Sequence, residues 1–173
     1  TSTTGRVTVG GGNTGCTPTG LGVGITRDTV PTGNKAVVYF KAYGFTNIEG
    51  YQFTIRFDKD KLRFDSVRAV YFPGANIDND FNIASAASGK ILTIYSTATP
   101  LTRPNASDIF AIAFTVIGST GTTADISIGL DATEQLPLDF IPGGSAVQVC
   151  KGFIYIGDKT VVNPDDCTLT ATA

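Results

Sequence analysis

The chain has 173 residues, 13 Lys and Arg against 15 Asp and Glu, a net charge of −2 and no histidine. That length suits one ordinary domain, the charge balance leaves no basic surplus for a nucleic-acid backbone, and the missing imidazole removes the usual general base and every Ser–His or Cys–His nucleophile pair. A hydrophobic content of 42% excludes wholesale disorder, and the longest apolar stretch, Ile109 to Ile117, is too short to span a bilayer.

Thr, Val, Ile, Phe and Tyr are plentiful, Glu, Lys, Leu and Met are scarce, and strong helix formers make no sustained run, which favours pleated, half-buried surfaces. Residues 1–20 are rich in Gly, Thr and Ser and read as a linker with at most a short strand at Arg6–Val9. Leu21–Thr26 reads as a first strand, and Val30 to Lys35 as a turn cluster. Ala36–Tyr43 alternates strictly. Ile48–Asp58 carries the clearest period of two, with Tyr51, Phe53, Ile55 and Phe57 on one face and Gly50, Gln52, Thr54 and Arg56 on the other. Leu62–Val70 follows with Leu62 and Phe64 inward, then a short strand at Asp80–Ala84 and another at Lys90–Thr97.

Thr99–Asp108 holds Pro100 and Pro104 and reads as a loop. Ile109–Ile117 is the nearly continuous apolar strand expected at the centre of a sandwich, and Ala124–Asp131 is a further strand. Asp131–Leu136 is expected to form one helical turn, and Gly152–Ile156 the closing strand. Residues 21–157 thus read as one β-sandwich, and 158–173 as a tail or the start of a following module. The chain opens on Thr1-Ser2-Thr3-Thr4 without an initiator Met, as a module of a longer protein does. The expected core is Tyr51, Phe53, Ile55, Phe57, Leu62, Phe64, Phe81, Ile94, Phe110, Ile112 and Phe114.

Catalysis has few candidates. Glu49 and Glu134 are the sole glutamates, so a glycosidase pair needs those two to meet. Asp58-Lys59-Asp60 and Asp78-Asn79-Asp80 lack the spaced oxygen ligands and closing Glu of a calcium loop. No metal, cofactor or enzymatic activity is implied.

Three segments in series resemble the cohesin modules of bacterial cellulosomes and other secreted bacterial proteins. They are Ile48 to Asp58 continuing through Leu62-Arg63-Phe64-Asp65-Ser66-Val67, then Phe81-Asn82-Ile83 with Gly89 to Tyr95, then Asp108 to Val116. The resemblance covers about residues 20 to 157. It implies an all-β fold, a nine-stranded jelly-roll sandwich, one of whose sheet faces grips a dockerin, a small calcium-loaded helical module.

In the family that face comes from the third, fifth, sixth and eighth strands. Carried onto this sequence, the outward positions are Gly50, Gln52, Thr54 and Arg56, then Asn82, Ala84 and Ala86, then Thr93, Tyr95 and Thr97, then Ser127 and Gly129. The partner-binding set expected from them is Gln52, Thr54, Arg56, Asn82, Thr93 and Tyr95, with Tyr95 and Arg56 as the large anchors. The resemblance places the module outside the cell, secreted or at the cell surface, with no nucleic-acid partner and no membrane span. Two other readings suit the same sandwich: a carbohydrate-binding module with a polysaccharide partner, or a structural or adhesin spacer without a ligand of its own.

Three cysteines leave one over in a secreted chain. The resemblance implies first and last strands lying side by side and parallel, which brings Cys16 and Cys150 together as a disulfide. Cys150–Cys167 and Cys16–Cys167 are the other two pairings.

Overall fold

The computed structural model describes residues 16–131, 133–143 and 146–159. The expected strand at Arg6–Val9, nearly all of the linker and tail segments, and Cys167 lie outside the described residues.

Twelve strands form two stacked sheets, β1 (Gly22–Ile25), β2 (Arg27–Val30), β3 (Lys35–Tyr43), β4 (Ile48–Phe57), β5 (Leu62–Val70), β6 (Phe81–Asn82), β7 (Lys90–Leu101), β8 (Ser107–Val116), β9 (Thr123–Ile128), β10 (Asp139–Ile141), β11 (Gln148–Cys150) and β12 (Gly152–Ile156). One sheet runs β11-β1-β3-β8-β5. The other runs β2-β12-β9-β4-β7-β6, with β10 also paired to β4. Among the described residues three strands are additional to the nine expected ones: β2, β10 and β11 lie outside the spans Leu21–Thr26, Ala124–Asp131 and Gly152–Ile156, which hold β1, β9 and β12.

The first and last strands cross between sheets together. β1 pairs in parallel with β11 in one sheet, and β2 with β12 in the other. At the crossing the two strands approach so closely that a β-carbon on Gly152 would strike the Thr26 carbonyl and the Ile25 side chain. Only glycine fits there.

The core lies between the sheets and is dominated by aromatic side chains. Phe40, Phe45, Phe53, Phe110 and Phe114 are fully buried. Phe110 stacks on Phe40 at 4.5 Å between ring centroids and meets Phe81 edge-on at 5.0 Å, geometries that add to area burial. Nine of the eleven expected core residues are buried; Phe64 is partly buried, and Ile94 is a correction, standing 49% exposed on the outer face.

Helix is minimal among the described residues. Their one α-helical turn, α1 (Ile77–Asp80), is capped by Asn76, whose side chain accepts from the Asp78 and Asn79 amides. The turn expected at Asp131–Leu136 is instead a run of turns and bends without helix. Asp131 Oδ1 accepts from the Thr133 amide at 2.8 Å, a local Asx bond that competes with helix formation.

Candidate docking face

The outer face of the seven-stranded sheet is set by the register of β4. Tyr51, Phe53, Ile55 and Phe57 point into the core, so Gly50, Gln52, Thr54 and Arg56 point away from it. Opposite them on β7, in register, stand Ser96, Ile94, Leu92 and Lys90. Asn82 pairs with Leu92 from the edge strand β6, and Ser127 of β9 stands across from Arg56. β10 adds Asp139 beside Gln52 and Ile141 beside Gly50.

This register overturns the expected faces of β7. Thr93 and Tyr95 point inward, across from Phe53 and Tyr51. Tyr95 is 3% exposed, stacks on Tyr51 at 5.5 Å between centroids, and donates its hydroxyl to the Pro73 carbonyl at 2.8 Å. A buried phenol needs that acceptor. Lys90 to Thr97 alternates weakly, since each face carries both apolar and hydroxylic residues, and a one-residue change of parity exchanges them all. Tyr51 lies in the same cluster, and burial pushes its phenol pKa far up.

The remaining expected residues stay on the outer side, in different states. Arg56 and Asn82 are exposed and Gln52 is half-buried. Thr54 faces outward yet is only 1% exposed, because the segment after β9 crosses above it. Thr54 Oγ1 donates to the Leu136 carbonyl at 3.0 Å, and Gln52 Nε2 reaches the Pro137 carbonyl at 3.4 Å. Ala84 and Ala86 are not on a strand: β6 ends at Asn82, and Ala86 opens a 3-10 turn, Ala86–Ser88.

Glu134 anchors the crossing segment. Its carboxylate is 97% removed from solvent and accepts from Arg56 Nε. It sits above Gly129, where any β-carbon would collide with it. Among the described hydrogen bonds the two Nη groups of Arg56 carry none, and its side chain is about half exposed. A guanidinium presents its Nη donors as a planar fork that matches a carboxylate. Glu134 cannot form a glycosidase pair with Glu49. Glu49 and Arg56 are seven residues apart on β4, roughly 23 Å along the strand.

The face therefore has a covered half, over Thr54 and Arg56, and an open half around Gln52. The open half exposes Ile94 at 49% and Ile141 at 50%, roughly 12 Å apart by strand spacing and rise. Sequence reasoning missed Ile94 and Leu92 through the inverted parity. It missed Ile141 because the three-residue strand carrying it has no periodicity to read.

A family model for the cohesin domain matches residues 21–134. The chain belongs to the cohesin family. Among solved structures, this cohesin is similar to the sixth cohesin of scaffoldin B from Acetivibrio cellulolyticus, in complex with a Cel5 dockerin mutant. That match has 24% identity and a TM-score of 0.60, covering 80% of this chain and all of that one. It is also similar to the OlpA cohesin of Clostridium thermocellum in complex with Doc918, at 13% identity and TM-score 0.63, over 80% and 99% of the two chains. A non-cellulosomal cohesin from the archaeon Archaeoglobus fulgidus shares the fold at 12% identity and TM-score 0.60, over 86% and 99%. No curated protein matches the chain. Among the described residues of this cohesin no helix is long and apolar enough to cross a membrane.

The structure joins Cys16 to Cys150 as a disulfide, with their Cα atoms 5.4 Å apart. The two acidic clusters are occupied locally. Asp58 accepts from the Asp60 amide and pairs with Lys61, while Asp80 accepts from the Asn76 amide.

Proposed function

We propose that this cohesin is a non-catalytic docking module for a dockerin-like protein partner, carried on a secreted or cell-surface bacterial protein. The observation that carries the reading is the open half of the outer face. It presents two exposed isoleucines on the sheet around Gln52, with Arg56 on the same face beyond the covered Thr54. Apolar anchors and an arginine on one face are what interface hot spots are made of. A lone exposed isoleucine is ordinary, whereas a paired patch on a flat face suits association. Membership of the cohesin family supports the class of partner, and the solved neighbours held by dockerins support it further.

The docking set becomes Ile94, Ile141, Gln52, Arg56 and Asn82. Thr93 and Tyr95 serve the core. The partner is expected to offer an apolar helix face for the isoleucines and a carboxylate for Arg56.

Calorimetry against a panel of calcium-loaded dockerin modules tests this. Binding by at least one, weakened tenfold or more by Ile94→Asp with unchanged thermal stability, supports the reading. Failure of the whole panel, or full affinity in both Ile94→Asp and Arg56→Glu, overturns it. Binding to polysaccharide alone would install the carbohydrate reading in its place.

A further inference from the structure

The first and last strands of the described chain run side by side. β1 lies parallel to β11, with Gly24 beside Cys150, and β2 lies parallel to β12, with Val30 beside Ile156. Cys16, ahead of β1, is bonded to Cys150 at the end of β11. Thr19 adds a hydrogen bond from its amide to Gln148 Oε1 at 2.8 Å. The chain continues on both sides, through residues 1–15 and beyond Ile156.

Tension between those two flanking segments has two routes. Without the disulfide, force enters at the start of the first strand and leaves at the end of the last. Parallel neighbours are then pulled in opposite directions, and their hydrogen-bond ladders are loaded in shear. With the disulfide, force passes from Cys16 through the sulfurs to Cys150 and on along β12.

β12 is already extended and is hydrogen-bonded on both edges, to β2 and to β9. Tension between its own two ends gains almost no length. Residues 17–149 then form a closed covalent loop attached to the load path at one point, and they carry none of the force.

We infer that the Cys16–Cys150 disulfide is a force bypass, through which the module transmits tension between its flanking segments along β12 while residues 17–149 stay unloaded. This function goes beyond docking and does not depend on it. The placement of the bond is what carries it. A disulfide inside a loop would stabilise the fold, but one that joins the entry to the exit also decides where force travels. Loop-closure stabilisation is expected in addition, and it is insensitive to the direction of pulling.

Single-molecule pulling on the full chain, with one handle at each terminus, tests the inference. The oxidised protein is expected to give no unfolding step up to rupture of the handles. Cys16→Ser, or the wild type reduced and alkylated, is expected to release one step of about 450 Å over the same force range. That is the extended reach of a loop closed at a sequence separation of 134. Circular dichroism shows whether each form is folded before pulling, and the reduced wild type serves if the variant is not. A step of that size in the oxidised protein overturns the inference. So does the absence of a step in both thiol forms, because the strand ladders alone would then bear the load. Non-reducing peptide mapping that joins Cys167 to either partner, or finds three free thiols, overturns it as well.

Discussion

The two outer faces of the sandwich are built from strands of similar length, yet they dispose of their side chains in opposite ways. On the five-stranded sheet, two lysines of β3 are paired with aspartates of β5 and β8. Lys35 Nζ meets Asp65 Oδ2 at 2.6 Å, Thr115 Oγ1 lies 2.8 Å from the same oxygen, and Lys41 Nζ meets Asp108 Oδ1 at 2.5 Å. On the seven-stranded sheet the β4–β7 surface has one ion pair among the described residues, Arg56 with Glu134, and its acidic partner comes from a covering segment. Beside it, Ile94 and Ile141 are left to solvent. The first face meets Asp65 and Asp108 with lysines of its own strands. The second is satisfied over one half and left apolar over the other, which makes it the docking candidate.

The contrast breaks most sharply at the ion pair, where the largest effect is expected. Arg56→Ala strands a buried carboxylate, and an unpaired buried charge costs about 2 kcal/mol even with some solvent access. Glu134→Ala leaves a half-exposed guanidinium that water can reach, so the loss falls to roughly 1 kcal/mol. Urea titration of both variants checks the order. Equal losses, or a larger loss for Glu134→Ala, would mean that the carboxylate is not held as described. Hydrogen exchange at the Leu136 amide should quicken in both, since the segment above Thr54 loses its anchor.

What the sequence makes legible follows from how local each signal is. The faces of β4 can be read because Tyr51, Phe53, Ile55 and Phe57 are all large and apolar while the residues between them are not. β8 can be read because a strand buried on both sides needs no alternation. β7 cannot, because isoleucine and a hydroxylic residue occur on both of its faces, Ile91 with Thr93 and Ile94 with Ser96, and its parity is fixed by Tyr51 across the strand pair. The covering segment is hidden for a different reason. Arg56 and Glu134 are 78 residues apart, and nothing in either neighbourhood announces the other. The three additional strands are too short to show a period, and the purpose of Gly152 is clear once a second strand lies against it.

A smaller effect distinguishes the self-satisfied face by pH. Burial works against the Asp65 carboxylate, but hydrogen bonds from Lys35 and Thr115 outweigh it, and the pKa is held below the usual Asp value. A depressed carboxylate contributes stability that is present above its unfolded pKa of about 4 and is lost as pH falls through the lower folded value. Asp65→Asn is therefore expected to cost about 1 kcal/mol at neutral pH. That difference from wild type should hold down to about pH 5 and shrink below pH 4. A difference that grows on acidification would reverse the sign and with it the role given to Lys35.

The smallest expected effects sit next to each other on β7 and decide which of its faces is the open one. Thr93 is fully buried across from Phe53, and its hydroxyl has no hydrogen-bond partner among the described atoms. Valine has nearly the same shape and removes the unsatisfied group, so Thr93→Val is expected to stabilise the fold by about 1 kcal/mol. Ile94 is half exposed on the other face, and Ile94→Thr keeps the β-branch that suits a strand. Its stability should stay within about 0.5 kcal/mol of wild type. With the parity reversed, both outcomes change. Ile94→Thr would then bury a hydroxyl and lose core packing at a cost of about 2 kcal/mol or more, and Thr93→Val would be a neutral surface change. Denaturation midpoints of these two variants thus fix the direction of every side chain on the strand. If Ile94→Thr proves the costly one, Tyr95 returns to the outer face and the docking patch around Gln52 has to be redrawn.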